Sequence, residues 1–191
     1  PVMIPEVTDV PEVPGGGVFK GAQFGVSLNN RGDLAFGGIV ETEQGIHLAD
    51  EDYIGLGGGL FKASKTGQIS SVVGPGDPAP GDKVFDWTAF PSMNDRGDVA
   101  FMGHVAGEEC LTDFSQAFLI GCLGSVYVKD AATGTIRSIA HAGDDAPGGG
   151  VYRQASNPVI NARGDIAFLG DLTSSPAIPA IGVYLHSGGQ T

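Results

Sequence analysis

The sequence predicts an all-β protein of tandem four-stranded antiparallel units, arranged like the blades of a β-propeller. Three observations carry that expectation. One phrase returns three times, as NNRGDLAFGG at 29–38, NDRGDVAFMG at 94–103 and NARGDIAFLG at 161–170. The 32 Gly and 12 Pro among 191 residues punctuate short apolar runs, which suits many strands joined by tight turns. No window of a dozen residues keeps apolar positions at helical spacing without a Gly or Pro interrupting it.

Asn29 and Asn94 lie 65 residues apart, and Asn94 and Asn161 lie 67 apart. A period of that length encloses one supersecondary unit. Other phrases recur in step: GDPAPGDKVF at 76–85 with GDDAPGGGVY at 143–152, and GLFKASKTGQISSVV at 59–73 with SVYVKDAATGTIRSIA at 125–140. The units therefore run over about 1–76, 77–143 and 144–191, the last incomplete. Within each, a first strand starts near the aromatic that follows a Pro-Gly turn (Phe19, Phe85, Tyr152). The D-x-A-F phrase is the second strand. LFKA, VYVK or VYLH is the third, and QISSVV or TIRSIA the fourth, joined to the third by a Gly-containing hairpin turn.

The second strand predicts how the units pack. Val99, Phe101 and Val105 fall on one face, and Ala100 and Met102 on the other. A strand apolar on both faces belongs to a sheet covered on both sides, so the sheets are expected to stack in series, as propeller blades do. A single-coil β-helix needs a repeat of only about 20–30 residues. A β-trefoil, with three units of four strands, is the alternative fold.

The recurrent phrase N-x-R-G-D-x-A-F, followed by G-x-F/Y and G-D-x-x-P-G, resembles the tandem NxxGxxAF repeats of secreted bacterial proteins of the choice-of-anchor kind. The resemblance implies a propeller-like fold and an exported protein. It brings no catalytic residues with it.

The Arg-Gly-Asp tripeptide invites a guess of cell adhesion, but three copies in register point to turn chemistry. Asn29, Asn94 and Asn161 open the turns, Gly32, Gly97 and Gly164 supply positive φ, and Asp33, Asp98 and Asp165 lead into the strands. Arg31, Arg96 and Arg163 then take exposed turn positions.

A formal net charge of −12 disfavours phosphate backbones, so nucleic acid is not an expected partner. No run of 18 apolar residues is present, so no membrane span is expected. Cys110 and Cys122, in GEECLTDFSQAFLIGCLG, are expected to form a disulfide stabilising by ~3 kcal/mol if the protein is extracellular; two reduced thiols are the alternative. Hard cations want converging oxygens. Asp50, Glu51 and Asp52, and Asp144 with Asp145, are candidate Ca²⁺ ligands, against a reading as solvated acidic turns. No other cofactor is expected. His47, His104, His141 and His186 show no metal-ligand spacing, and His186 aligns one place from Lys129 at a strand end. Trp87 and Tyr152 are candidates for a sugar platform, weighed against buried sheet aromatics.

The expected function is a non-catalytic structural or adhesive repeat protein outside the cell. Its expected partners are copies of itself or further repeats of a longer chain, with a glycan or protein ligand admitted. A secreted propeller lectin or glycan-active enzyme is the alternative. The third unit stops at HSGGQT after its third strand, so residues 2–7 are expected to complete an open blade. They would do so within the chain or by strand donation between chains, unless a longer protein's next segment supplies the strand.

Overall fold

The computed structural model describes residues 13, 16–42, 45–46, 58–108, 124–173, 180–189 and 191. Among these the fold is all-β, with antiparallel sheets and no helix. The first sheet holds β1 (Val18–Leu28), β2 (Leu34–Thr42), β3 (Gly45–Ile46), β4 (Gly59–Ala63) and β5 (Ile69–Val73), in the order β1-β2-β4-β5 with β3 beside β2. The second holds β6 (Pro78–Ala79), β7 (Lys83–Met93), β8 (Val99–Val105), β9 (Ser125–Lys129) and β10 (Ile136–Ala140), in the order β10-β9-β8-β7-β6. The third holds β11 (Tyr152–Ile160), β12 (Ile166–Leu172) and β13 (Ala180–His186). Short strands β3 and β6 went unanticipated, because two-residue pairings leave no alternation to detect.

Each sheet is organised around three aromatic rings, one on each of three adjacent strands. Phe85, Phe101 and Tyr127 meet in the second sheet with centroids 5.0–5.7 Å apart, Phe85 standing edge-on to Tyr127 at 89°. Tyr152, Phe168 and Tyr184 repeat the arrangement, with an edge-on contact of 77° at 5.0 Å. Phe19, Phe36 and Phe61 do so in the first sheet, at 80° and 4.9 Å. Edge-on rings place the positive rim of one on the negative face of another. A glycine two residues after each second-strand Phe makes room for the cluster. A Cβ on Gly38 would lie 2.7 Å from Phe19, on Gly103 3.0 Å from Phe85, and on Gly170 2.6 Å from both Tyr152 and Tyr184.

The sheets stack face to face. Ala35, Leu60 and Val73 of the first sheet pack against Phe85, Met93, Phe101 and Tyr127 of the second. Ala100, Val126 and Val128 of the second pack in turn against Tyr152, Ile160 and Phe168 of the third. One rule covers both joints: the small-aliphatic face of each sheet covers the aromatic face of the next. The opposed placement of Ala100 and Phe101, one in each core, follows from the two-residue period of a strand.

Polar contacts reinforce the joints at equivalent positions. Ser27 Oγ accepts from the Met93 N–H at 2.9 Å, and Ser92 Oγ accepts from the Ile160 N–H at 3.0 Å. Register shifts recur in each first strand, between Ala22 and Val26, Ala89 and Ser92, and Ser156 and Val159. The left-handed residues there are Gly25, Phe90 and Asn157, the last two at φ 52° and 49°. Such bulges sharpen strand twist and break the ladder, which accommodates Pro91 and Pro158 beside them without a missing N–H being felt.

Gly170→Ala and Gly103→Ala are expected to lower stability by about 1–3 kcal/mol through overpacking. The loss should be larger at Gly170, where two rings would have to move. Urea unfolding measures both; variants as stable as the parent would contradict the close approach.

Candidate functional site

The Asn-x-Arg-Gly-Asp turns line one end of the stacked sheets. In each, the Asn side-chain oxygen accepts two backbone N–H groups: those of Arg31 and Asp33, of Arg96 and Asp98, and of Arg163 and Asp165, at 2.9–3.1 Å. The Asn side-chain N–H donates to the Asp carboxylate. Gly32, Gly97 and Gly164 have φ of 84°, 91° and 93° and donate N–H to the Asn carbonyl. This is the left-handed position that a turn reserves for Gly. Within each tripeptide the Arg pairs with its own Asp, at 3.5, 2.8 and 3.0 Å.

The turns also touch one another across the joints. Asn29 Nδ2 donates to the Asn94 carbonyl at 3.3 Å, and Asn30 donates its backbone and side-chain N–H to Asp95 at 2.8 Å each. Arg96 Nη1 donates to the Ala162 carbonyl at 2.8 Å, so its exposed side chain is a tie between sheets. These bonds act on the carboxylates. The Asn30 side chain and backbone hold Asp95 below the usual carboxylate range. Burial pushes Asp98 up, yet donation from the Ala131 N–H, Asn94 and Arg96 outweighs it and leaves Asp98 low. Asp165 is held at about 2 by Ser187, Asn161 and Arg163, the Ser187 hydroxyl donating at 2.6 Å.

The opposite end of the second and third sheets carries a cleft of about 480 Å³, walled by Glu108, His141, Tyr152, Arg153 and Thr173. Glu108 Oε1 is held by Lys83 Nζ at 2.8 Å and His141 Nε2 at 2.9 Å. His141 Nδ1 lies 2.7 Å from the Ala142 carbonyl, so each ring nitrogen faces one oxygen. Arg153 pairs with Asp171, whose second oxygen is buried without a hydrogen-bond partner, as is the Tyr152 hydroxyl. Burial, with Tyr184 and Asp144 nearby, pushes Tyr152 up to about 12. The charged groups at the cleft are thus paired with one another, on a wall otherwise largely apolar, with Ala142 and Val151 among its residues.

Sequence reasoning missed this group, because Lys83, Glu108, His141, Arg153 and Asp171 come from separate strands and connections with no local spacing to join them. The other expected residues fall as follows. Asp144 is exposed, and its carboxylate accepts the His141 N–H at 3.0 Å; Asp145 is exposed beside it. Asp77 caps the matching turn through the Gly74 N–H. Among the described residues no group of three or more His, Cys, Asp or Glu converges as a metal site. Asp50, Glu51, Asp52, His47, Cys110, Cys122 and residues 2–7 lie outside the described residues.

Trp87 and Tyr152 are 1% and 2% exposed, which agrees with the reading as buried sheet aromatics and sets aside the sugar platform. Trp87 stacks at 6° on His104, whose Nδ1 is 2.8 Å from both oxygens of Asp86. His186 and Lys129 pair with Ile166 and Val99, so they occupy the same place in the repeat rather than adjacent ones. Burial, with Arg137 nearby, lowers the His186 pKa.

One family model, described as Family of unknown function (DUF7453), matches residues 3–126 and again 124–191. Comparison with curated proteins finds no match.

Because its pKa is depressed, ionised Asp165 contributes stability above its unfolded value of 3.8, and that contribution disappears as pH falls toward about 2. Ser187→Ala removes the leading donor and should move the Asp165 titration up toward 3.8, as followed by carboxyl-carbon NMR. An unchanged midpoint would show that Ser187 does not hold the carboxylate.

Proposed function

We propose, on the premise that the chain belongs to this family of unknown function, that it is a non-catalytic structural or adhesive repeat protein acting outside the cell. In this reading its sheets are blades of a β-propeller-like array, with four main strands in each of the first two beside the two-residue β3 or β6, and three strands in the third among the described residues. The observation that carries it is the repetition of one joint: Ser27 to Met93 and Ser92 to Ile160, with the same pair of faces buried each time. A joint that recurs at equivalent positions builds an array whose stability adds unit by unit, the property a structural element uses. The recurrent Asn, Arg and Asp side chains are engaged in holding turns and sheets, which supports a scaffold role for the tripeptide over ligand display. Extracellular placement rests on the resemblance to exported tandem-repeat proteins.

The cleft favours a second reading, a lectin. Its paired charges suit a neutral polyhydroxyl ligand, and Glu108, His141, Arg153 and Thr173 on its wall offer hydrogen-bonding groups to sugar hydroxyls.

Two measurements separate these readings. Protease treatment of intact producing cells should remove the chain from the surface, and a chain protected until lysis would end the extracellular proposal. On a glycan array the scaffold reading expects no saturable binding. A saturable signal lost in Arg153→Ala would establish the lectin instead.

A further inference from the structure

The two end faces of the stack expose positions that both internal joints bury. On the third sheet, Val183 and Leu185 pair with Leu169 and Ala167, as Val126 and Val128 pair with Met102 and Ala100 in the second. Val126 and Val128 are 0% and 3% exposed because the third sheet covers them, whereas Val183 and Leu185 are 78% and 60% exposed and Ile181 beside them 69%. On the first sheet, Leu28 takes the place of Met93 and Ile160, immediately before the turn Asn. Met93 and Ile160 are 5% and 7% exposed, while Leu28 is 70% and its neighbour Val26 67%. Isolated surface hydrophobics are ordinary, but a contiguous apolar face marks an association site.

The internal joints say what covers each face: a small-aliphatic face takes an aromatic face. The third sheet presents the first kind and the first sheet the second kind. We propose that a second copy of this chain docks head to tail, its first sheet covering the open face of the third sheet. This rests on the structural repeat reading and names the contact by which copies join. It differs from strand donation, since it joins faces and needs no exchanged strand.

The turns supply matching polar groups. Arg96 reaches the Ala162 carbonyl, and the equivalent of Ala162 in a docked first sheet is Asn30. Arg163, 83% exposed against 54% for Arg96, is placed to donate to that carbonyl. Asn161, exposed where Asn29 and Asn94 are buried, would donate to the Asn29 carbonyl as Asn29 does to Asn94. One contact is lost: Val159 stands where Ser27 and Ser92 accept an N–H from the next sheet. A joint one hydrogen bond short suits reversible association. Made twice, it closes two copies into a ring of six sheets, within the usual range of about 4–8 blades; where the rotation does not close, it propagates a filament.

Sedimentation velocity of the full chain across a concentration series, with Leu28→Lys and Val183→Lys, tests the contact. The parent should associate, and each variant alone should weaken association by at least about tenfold, since a lysine would be buried unpaired. An equimolar mixture of the two variants should regain a dimer, because the intact third sheet of one meets the intact first sheet of the other. Matching thermal melts verify folding; Leu28→Ser and Val183→Ser replace any lysine variant that fails to fold. A parent that stays monomeric to its solubility limit overturns the proposal, as does association unaffected by either variant. Association broken only by Val183→Lys also overturns it, because that indicates like faces pairing. None of these outcomes bears on surface exposure or sugar binding, which decide the reading beneath it.

Discussion

The structure depends on seating three aromatic rings over a glycine in every sheet. Without the gap at Gly38, Gly103 and Gly170, the rings could not fold down onto the strands and present a continuous face. That face is what the preceding sheet covers with Ala35, Leu60 and Val73, or with Ala100, Val126 and Val128. Small side chains on one side and flat rings on the other let sheets approach closely, and dense packing of this kind loses contacts with any gap. The requirement recurs once per unit, which is why the phrase A-F-x-G does.

Turn chemistry depends on that packing in turn. The Asn and Asp side chains organise each turn locally, but Asn30 to Asp95 and Arg96 to Ala162 form only because stacked sheets bring the turns into register. The two ends of the stack thereby acquire different characters. At the turn end the polar groups are committed to one another and the backbone is tied across joints. At the other end Glu108, Lys83 and His141 gather beside the Arg153–Asp171 pair around an open cleft. A frame of stacked sheets with an open cleft at one end suits either a scaffold or a recognition surface, and the second sheet is the element common to both.

A stacking rule that operates within a chain also operates at its ends. The contrast between Val128 and Leu185, or between Met93 and Leu28, is not one of residue character, since all four are apolar. It is a difference in whether a sheet among the described residues lies across the face. Local departures adjust the outcome: Val159 in place of Ser, and Lys62 opposite Ala35 where Val128 lies opposite Ala100, make the joints similar without making them identical.

The sequence by itself determined the all-β class, the antiparallel strands and the three-fold recurrence, because these follow from periodicity and turn residues close together in the chain. It also placed the Asn, Gly and Asp of each turn, whose turn-forming hydrogen bonds run within four residues. Tertiary structure alone decided which face of one sheet meets which face of the next. It decided too that Trp87 and Tyr152 are buried, that Arg96 ties two sheets, and that Lys83, Glu108, His141, Arg153 and Asp171 gather at one end. The physical reason is range: turn and strand propensities are local free energies, whereas burial and charge pairing depend on groups brought close only when separate sheets pack.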